Sequence, residues 1–291
     1  ASVAAVFMIV LFSVLFTREN RPPESSVVND VPVAGKTQAV LSLPDGRQVA
    51  LGNEKEQDTA WMKYVEACTI ESKATTEPAD IKIEVARGGE YKIRLEDGTT
   101  VWLNSESSLI YPEKFTGDKR AVRLSGEGYF EVARDEKKPF IVSVTDMEIK
   151  VLGTKFNVTA YQDEKMTTTT LISGAVEVVT PHRSVQLQPG KQAMVQEGDD
   201  DITVLEVDVE LATSWTAGIF KFDKMALTDI CTRLSRWYDI DFVFEGETGK
   251  EKFTGGTWKY VPLKDFLSKI ERVTNVLFLF ENNTVRVVPK K

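Results

Sequence analysis

Histidine occurs once in these 291 residues, as His182, and cysteine twice, as Cys68 and Cys231. A single imidazole, set between Pro181 and Arg183 in a stretch that reads as a turn, removes most ways of building a triad or a histidine-rich metal centre. Two cysteines far apart in sequence write neither a disulfide framework nor a Cys-x-x-Cys metal site, and buried free thiols are the plainer reading. Positive charge is also short. Against 44 Asp and Glu stand 36 Lys and Arg, a net charge of −8, whereas phosphate-backbone binding needs a basic stripe, so no nucleic-acid partner is expected. Carboxylates are plentiful but scattered. Asp199-Asp200-Asp201 lacks a Glu at calcium-loop spacing and reads as a solvated hairpin tip, and Gly126-Glu127-Gly128, with no helix behind it, reads as a turn and not a nucleotide loop. No cofactor, metal or enzyme constellation is written here.

Long apolar runs are confined to the start, ASVAAVFMIVLFSVLF, residues 1–16. A membrane span wants ~20 such residues, and the sequence begins inside the run. Three readings compete: a transmembrane helix lacking its first turn, the apolar part of a signal peptide, and a buried core helix. No small-residue cleavage site follows, since Phe16 leads into Thr17-Arg18-Glu19, and the span is favoured. Arg18 and Arg21 on its C-terminal side would by themselves place that side in the cytoplasm. Residues 18–35, with Pro22, Pro23 and Pro32, read as an extended tether.

The stretch Arg87–Val132 alternates apolar and polar residues with strand period. Tyr91, Ile93 and Leu95, then Val101 and Leu103, then Val122, Leu124, Phe130 and Val132 fall on one side, with Asp97-Gly98 between runs where a hairpin closes. Leu41-Ser42-Leu43-Pro44-Asp45-Gly46-Arg47-Gln48-Val49-Ala50-Leu51 repeats the wording of Ile93–Leu103, and looser echoes stand at Val122–Val132 and Val185–Val195. Hairpin units of this kind build either a sandwich or a short solenoid, and the stacked form is preferred. Asn53–Asp80, between the first two hairpins, is polar and loop-like apart from an excursion at Trp61–Val65.

After Leu211 the pattern changes. Met225–Glu245 and Val261–Glu281 align without a gap at an offset of 36 residues: Leu227 matches Leu263, Asp229 matches Asp265, Arg236 matches Arg272, and Phe242 and Phe244 match Phe278 and Phe280. Each copy carries one apolar helix face followed by an alternating strand. Pro262 suits a first helical position. The order is β-α-β-β-α-β-β, with two helices expected on one face of a small sheet. The fold class is thus mainly β followed by α+β, divided as apolar helix 1–17, tether 18–35, first hairpin and loop region 36–85, β domain 86–211 and duplicated α/β domain 215–291.

The phrases GGEYKIRLEDGTTVWLNSES, YPEKF, LSGEGYFEV, KPFIV and VLGTKFNV together resemble the FecR-type extracytoplasmic sensor domain of transmembrane anti-sigma regulators. The similarity runs from Arg87 to Leu211. Residues 215–291 resemble the C-terminal domain that follows it, and the plan of the signalling module at the N-termini of secretins and TonB-dependent transporters. The resemblance implies a single-pass protein of the bacterial inner membrane with its C-terminal body in the periplasm. That body would sense the signalling domain of a TonB-dependent outer-membrane transporter. An extracytoplasmic-function sigma factor would be controlled through a cytoplasmic segment preceding Ala1, and the orientation requires a basic flank there. The alternative, from another class, is a membrane-tethered carbohydrate-binding module.

Two sets of residues are candidates for function. Some regulators of this type cleave themselves at a Gly-Thr bond, which Gly153-Thr154 would supply, a strained turn letting the Thr hydroxyl attack the preceding carbonyl and displace the amide nitrogen to give an ester that water hydrolyses; a glycine serving only as a bulge or turn explains the same pair. Tyr238, Trp258 and Tyr260 serve either as core or as partner anchors, while Trp237 lies on the apolar helix face and is assigned to the core. The strands Ile219–Phe222, with Phe220 and Phe222, and Thr284–Val288 are taken as sheet edges available to a partner strand.

Overall fold

In a computed structural model, which describes residues 34–52, 80–145 and 147–290, the alternation becomes two layers of strands. One holds, side by side, β3 (Gln48–Leu51), β2 (Ala39–Ser42), β4 (Asp80–Val85), β7 (Ser107–Pro112), the first half of β8 (Arg120–Glu131), β9 (Phe140–Ser143), β10 (Glu148–Val151), β13 (Val176–Val179) and β14 (Ser184–Leu187). The other holds β1 (Lys36–Thr37), β5 (Gly89–Arg94), β6 (Thr100–Leu103), the second half of β8, β11 (Lys155–Ala160), β12 (Met166–Ser173), β15 (Lys191–Gln196) and β16 (Ile202–Glu206). The strands follow each other across both layers in nearly their sequence order, so hairpins stack along the body while two sheets share one core. Every residue that the period put on one side between Tyr91 and Val132 is buried in that core, Val101, Leu103 and Phe130 completely.

The repeated phrase folds twice in the same way. Leu43 N–H donates to Arg47 and Leu95 N–H to Thr99; Asp45 and Asp97 each accept from the backbone two residues on, at 2.9 and 3.0 Å; Gly46 and Gly98 both hold φ +86. Only glycine adopts that backbone without strain. The echo at Val185–Val195 is different, because β14 and β15 lie in different layers.

Gly126-Glu127-Gly128 is not a turn. β8 runs unbroken through it, pairing with β7 and β9 before Gly126 and with β6 and β11 from Gly126 onward. Gly126, at φ +94, redirects the strand from one layer to the other, and a Cβ there would stand 2.7 Å from Ser107 Cα. Asp199–Asp201 does close the β15–β16 hairpin, with Arg183 3.3 Å from Asp201.

The module after the body has the expected order: β17 (Ile219–Ala226), a helix (Leu227–Tyr238), β18 (Asp241–Phe244), β19 (Lys252–Trp258), a second helix (Leu263–Val273), β20 (Val276–Glu281) and β21 (Thr284–Pro289). A single-turn helix α1 (Val209–Thr213) precedes it, so these two helices are α2 and α3. The strands make two sheets and not one, β17-β19 and β18-β21-β20. β21 therefore sits in the middle, parallel to β18 and antiparallel to β20, and Thr284–Val288 is no edge. Pro262 is the N-cap of α3, one position before the helix. Leu227, Ile230, Leu234 and Trp237 of α2, and Leu263, Phe266, Leu267 and Ile270 of α3, join residues of both sheets in a second core. Cys231 is buried in it, and burial pushes its thiol pKa up, keeping it unreactive.

The expected apolar helix, the tether as far as residue 33, the Trp61–Val65 excursion and Cys68 lie outside the described residues, while Ala34, at the tether's end, packs against the second core. Among the described residues no helix is long and apolar enough to cross a membrane. The β body and the α/β module form one compact unit.

Candidate functional site at the seam of the two modules

Three cations that belong to strand and helix ends meet where the α/β module sits on the body. Arg87, leading into β5, reaches the C-terminus of α2. Its Nη2 donates to the carbonyls of Ser235 (3.0 Å) and Ile240 (2.7 Å), its Nη1 lies 2.9 Å from Asp241 and its Nε 3.3 Å from Asp239. The Gly88 N–H donates to the Arg236 carbonyl at 2.7 Å. The last carbonyls of a helix lack partners within it and carry its negative end, so a guanidinium from the body is a cap supplied across the seam.

Arg236 reaches the opposite way. Only 4% exposed, it places Nε 3.2 Å from Glu106, Nη1 2.6 Å from Glu164 and Nη2 2.6 Å from Asp163, with the guanidinium 3.7 Å from the centre of the Tyr161 ring. Burial raises the pKa of Glu164, against the pull of Arg236. Burial also raises that of Tyr161, reinforced by the charge of Glu127.

Lys259 is fully buried. Its Nζ is 2.7 Å from Glu90 and 3.8 Å from the centre of the Trp237 ring. Burial lowers its pKa and the Glu90 carboxylate opposes that shift. Tyr260 Oη donates to the other oxygen of Glu90 at 2.8 Å. Behind Lys259 its carbonyl accepts from Trp237 Nε1 (2.7 Å) and Tyr238 Oη (3.1 Å). From Lys259 a polar chain continues over the face of the second layer: Asn104 lies 3.5 Å away, Asn104 Nδ2 donates to Glu127 (2.8 Å), Asn157 Nδ2 donates to the other oxygen of Glu127 (3.0 Å), and Asn157 Oδ1 accepts from Trp215 Nε1 (3.1 Å). A cleft of about 300 Å³ runs along this seam, walled by Glu127, Tyr161, Trp215, Phe220, Arg233 and Arg236 among others. Arg236 and Lys259 are committed to carboxylates of the body and Glu127 to Asn104 and Asn157, so the arrangement holds two modules in register.

The residues expected to anchor a partner separate into two groups. Trp258 and Tyr260 are 46% and 48% exposed, and Tyr260 packs edge-on against Trp237. Phe220, Phe222 and Tyr238 are not available: they are 6%, 4% and 3% exposed. Phe220 and Phe222 face inward because β17 presents alternate residues to the second core. Tyr238 turns its hydroxyl to the carbonyls of Lys259 and Val261. Gly153 and Thr154 form the link between β10 and β11. Thr154 is buried, and its hydroxyl donates to the Ala175 carbonyl at 2.8 Å. A Cβ at Gly153 would lie 2.7 Å from Arg134 Cα, which accounts for the glycine by close packing.

Sequence reasoning did not single out Arg87, Glu90, Glu127 or Lys259. It noted Arg236 only as the match of Arg272. One signal was present: Arg236 stands at the end of an otherwise apolar helix face, beside Trp237, where a charge demands partners.

The sequence model described as FecR protein matches residues 81–177, and that described as FecR, C-terminal, matches residues 219–287. Two crystal structures of a candidate anti-sigma factor from Parabacteroides distasonis are similar to this chain, each 30% identical with a TM-score of 0.67. One match covers 72% of this chain and 99% of that one, the other 73% and 100%. No curated protein matches.

Proposed function

This chain belongs to the FecR family, and from that membership we propose that it is a membrane-anchored regulator of a sigma factor. In this reading residues 1–17 anchor it in the bacterial inner membrane and the body stands in the periplasm. The α/β module receives the signalling domain of a TonB-dependent outer-membrane transporter. A cytoplasmic segment ahead of Ala1 holds or releases an extracytoplasmic-function sigma factor. The pairing of sensor and C-terminal matches in one chain supports this, as does the likeness to the anti-sigma factor structures.

The observation that carries the mechanism is the charged seam. Replacing a buried ion pair by apolar groups is often neutral, whereas removing one partner costs ~3–5 kcal/mol. A joint built from Arg87, Arg236 and Lys259 is therefore specific in geometry. A partner transmits a signal only if it binds one arrangement of that joint better than another; each tenfold preference is worth about 1.4 kcal/mol. Occupancy of the α/β module would bias the seam, and the body would carry the bias to the anchor.

The carbohydrate-binding alternative rests on exposed aromatics. Here Tyr260 is tied to Glu90, and Trp102, edge-on to Tyr129, has Lys92 Nζ 4.7 Å from its ring centre, so these rings are engaged by the chain's own side chains. Mixing the full chain in detergent with purified transporter signalling domains, and separately with immobilised glycans, divides the readings. Capture of a signalling domain is expected. Retention on glycans with no protein partner would overturn the proposal.

A further inference from the structure

The duplication sets the same pattern on both helices. Arg233, Arg236 and Trp237 of α2 correspond, 36 residues on, to Lys269, Arg272 and Val273 of α3. Cation, cation and apolar group at i, i+3 and i+4 share one helix face. In α2 that face is the seam: all three residues wall the cleft, and Arg236 is met by Glu106, Asp163, Glu164 and the Tyr161 ring. In α3 the equivalent side chains make no hydrogen bond or ion pair among the described residues. Lys269 and Arg272 are exposed, and Val273 is 75% exposed, the most open of the large apolar residues described.

Two details sharpen the comparison. The carbonyl end of α3 is closed by its own chain, Lys290 Nζ donating to Thr274 (2.8 Å) and to Glu271, as Arg87 closes α2. What α3 lacks relative to α2 is therefore the acidic and aromatic cover. Glu271, the carboxylate beside Arg272, turns away to accept from the Phe278 N–H at 2.8 Å, so it leaves the two cations uncompensated on a chain of net charge −8.

We infer that the Lys269–Arg272–Val273 face of α3 is a docking surface for a second protein, whose matching patch presents carboxylates beside an aromatic or aliphatic side chain. The fold already shows the centre of this face, Arg236, being covered once in α2 by a surface of that chemistry, with Arg233 exposed at its rim. The inference rests on the reading that the chain answers to a protein partner, and the transporter signalling domain is the partner to test.

The test is calorimetric titration of the full chain with purified TonB-dependent transporter signalling domains from the source organism. It compares wild type, the double variant Lys269→Glu with Arg272→Glu, and Val273→Asp. All three positions are exposed, and melting curves verify that the variants stay folded. A signalling domain that binds wild type is expected to bind the charge-reversed chain at least about tenfold more weakly, with a flatter salt dependence, and Val273→Asp to weaken it similarly. Binding equal in all three chains would overturn the α3 face while leaving the partner reading intact. Failure of every signalling domain to bind wild type would overturn that reading and this surface with it.

Discussion

Lys259 and Glu90 face each other across the seam on unequal terms. The ammonium is wholly buried, whereas the carboxylate side chain keeps 20% exposure and a second bond from Tyr260. Glu90→Gln strands a buried cation and is expected to cost about 3–5 kcal/mol. Lys259→Met keeps the stem packed on Trp237 and leaves Glu90 with Tyr260, so chemical denaturation should show a loss below about 1.5 kcal/mol. Equal losses would mean that the pair is not effectively buried. The same lysine sets a pH dependence. Its pKa is lowered in the fold from the ordinary 10.5, so in the window between that lowered value and 10.5 the unfolded chain holds a proton that the folded chain lacks, and the contribution of Lys259 to stability rises with pH. Wild type should gain stability relative to Lys259→Met as pH climbs through that window; a difference independent of pH would contradict the shift.

At the scale of the element, the glycines separate turn from joint. Gly46 and Gly126 both hold positive φ, +86 and +94, but a Cβ at Gly46 would meet nothing within 4 Å while one at Gly126 would strike Ser107. Gly46→Ala should cost about 1 kcal/mol, and Gly126→Ala clearly more because the strand crossing must shift; melting curves in which the two match would place β8 wrongly. This pair also marks how far the sequence could be read. Alternation revealed the strands because each has one face in the core, and the Leu41–Leu51 repeat revealed two hairpins because identical turn chemistry acts locally. Nothing local distinguishes a glycine that ends a strand from one that redirects it, so β8 was legible in its halves and not as a whole. The middle place of β21 was hidden likewise, since pairing partners are not written in a strand's own period. The seam was the least legible: Arg236 and Glu106 are 130 positions apart and Lys259 and Glu90 169. Tyr238, Phe220 and Phe222 looked like anchors because aromatic character alone does not tell which way a side chain turns.

Across the whole molecule two cores are joined by a charged interface, and the interface decides whether they behave as one. Scanning calorimetry of wild type should give a single cooperative transition. Arg236→Glu sets a fourth carboxylate against Glu106, Asp163 and Glu164 and should split it into two, the body and the α/β module melting apart. A single transition in the variant would show the cores coupled by something other than the seam. Net charge acts against docking on α3 at long range, because eight excess negative charges repel an acidic partner, so the basic α3 face draws carboxylates only within about a Debye length, ~8 Å at physiological salt.

The central claim, that this chain passes a signal from an outer partner to a sigma factor, is tested most directly by transcription. A reporter driven by the sigma factor should respond to the transporter's ligand in cells carrying the chain, lose that response when the chain is deleted, and regain it when the chain is restored. A response that persists unchanged in the deletion strain would contradict the account.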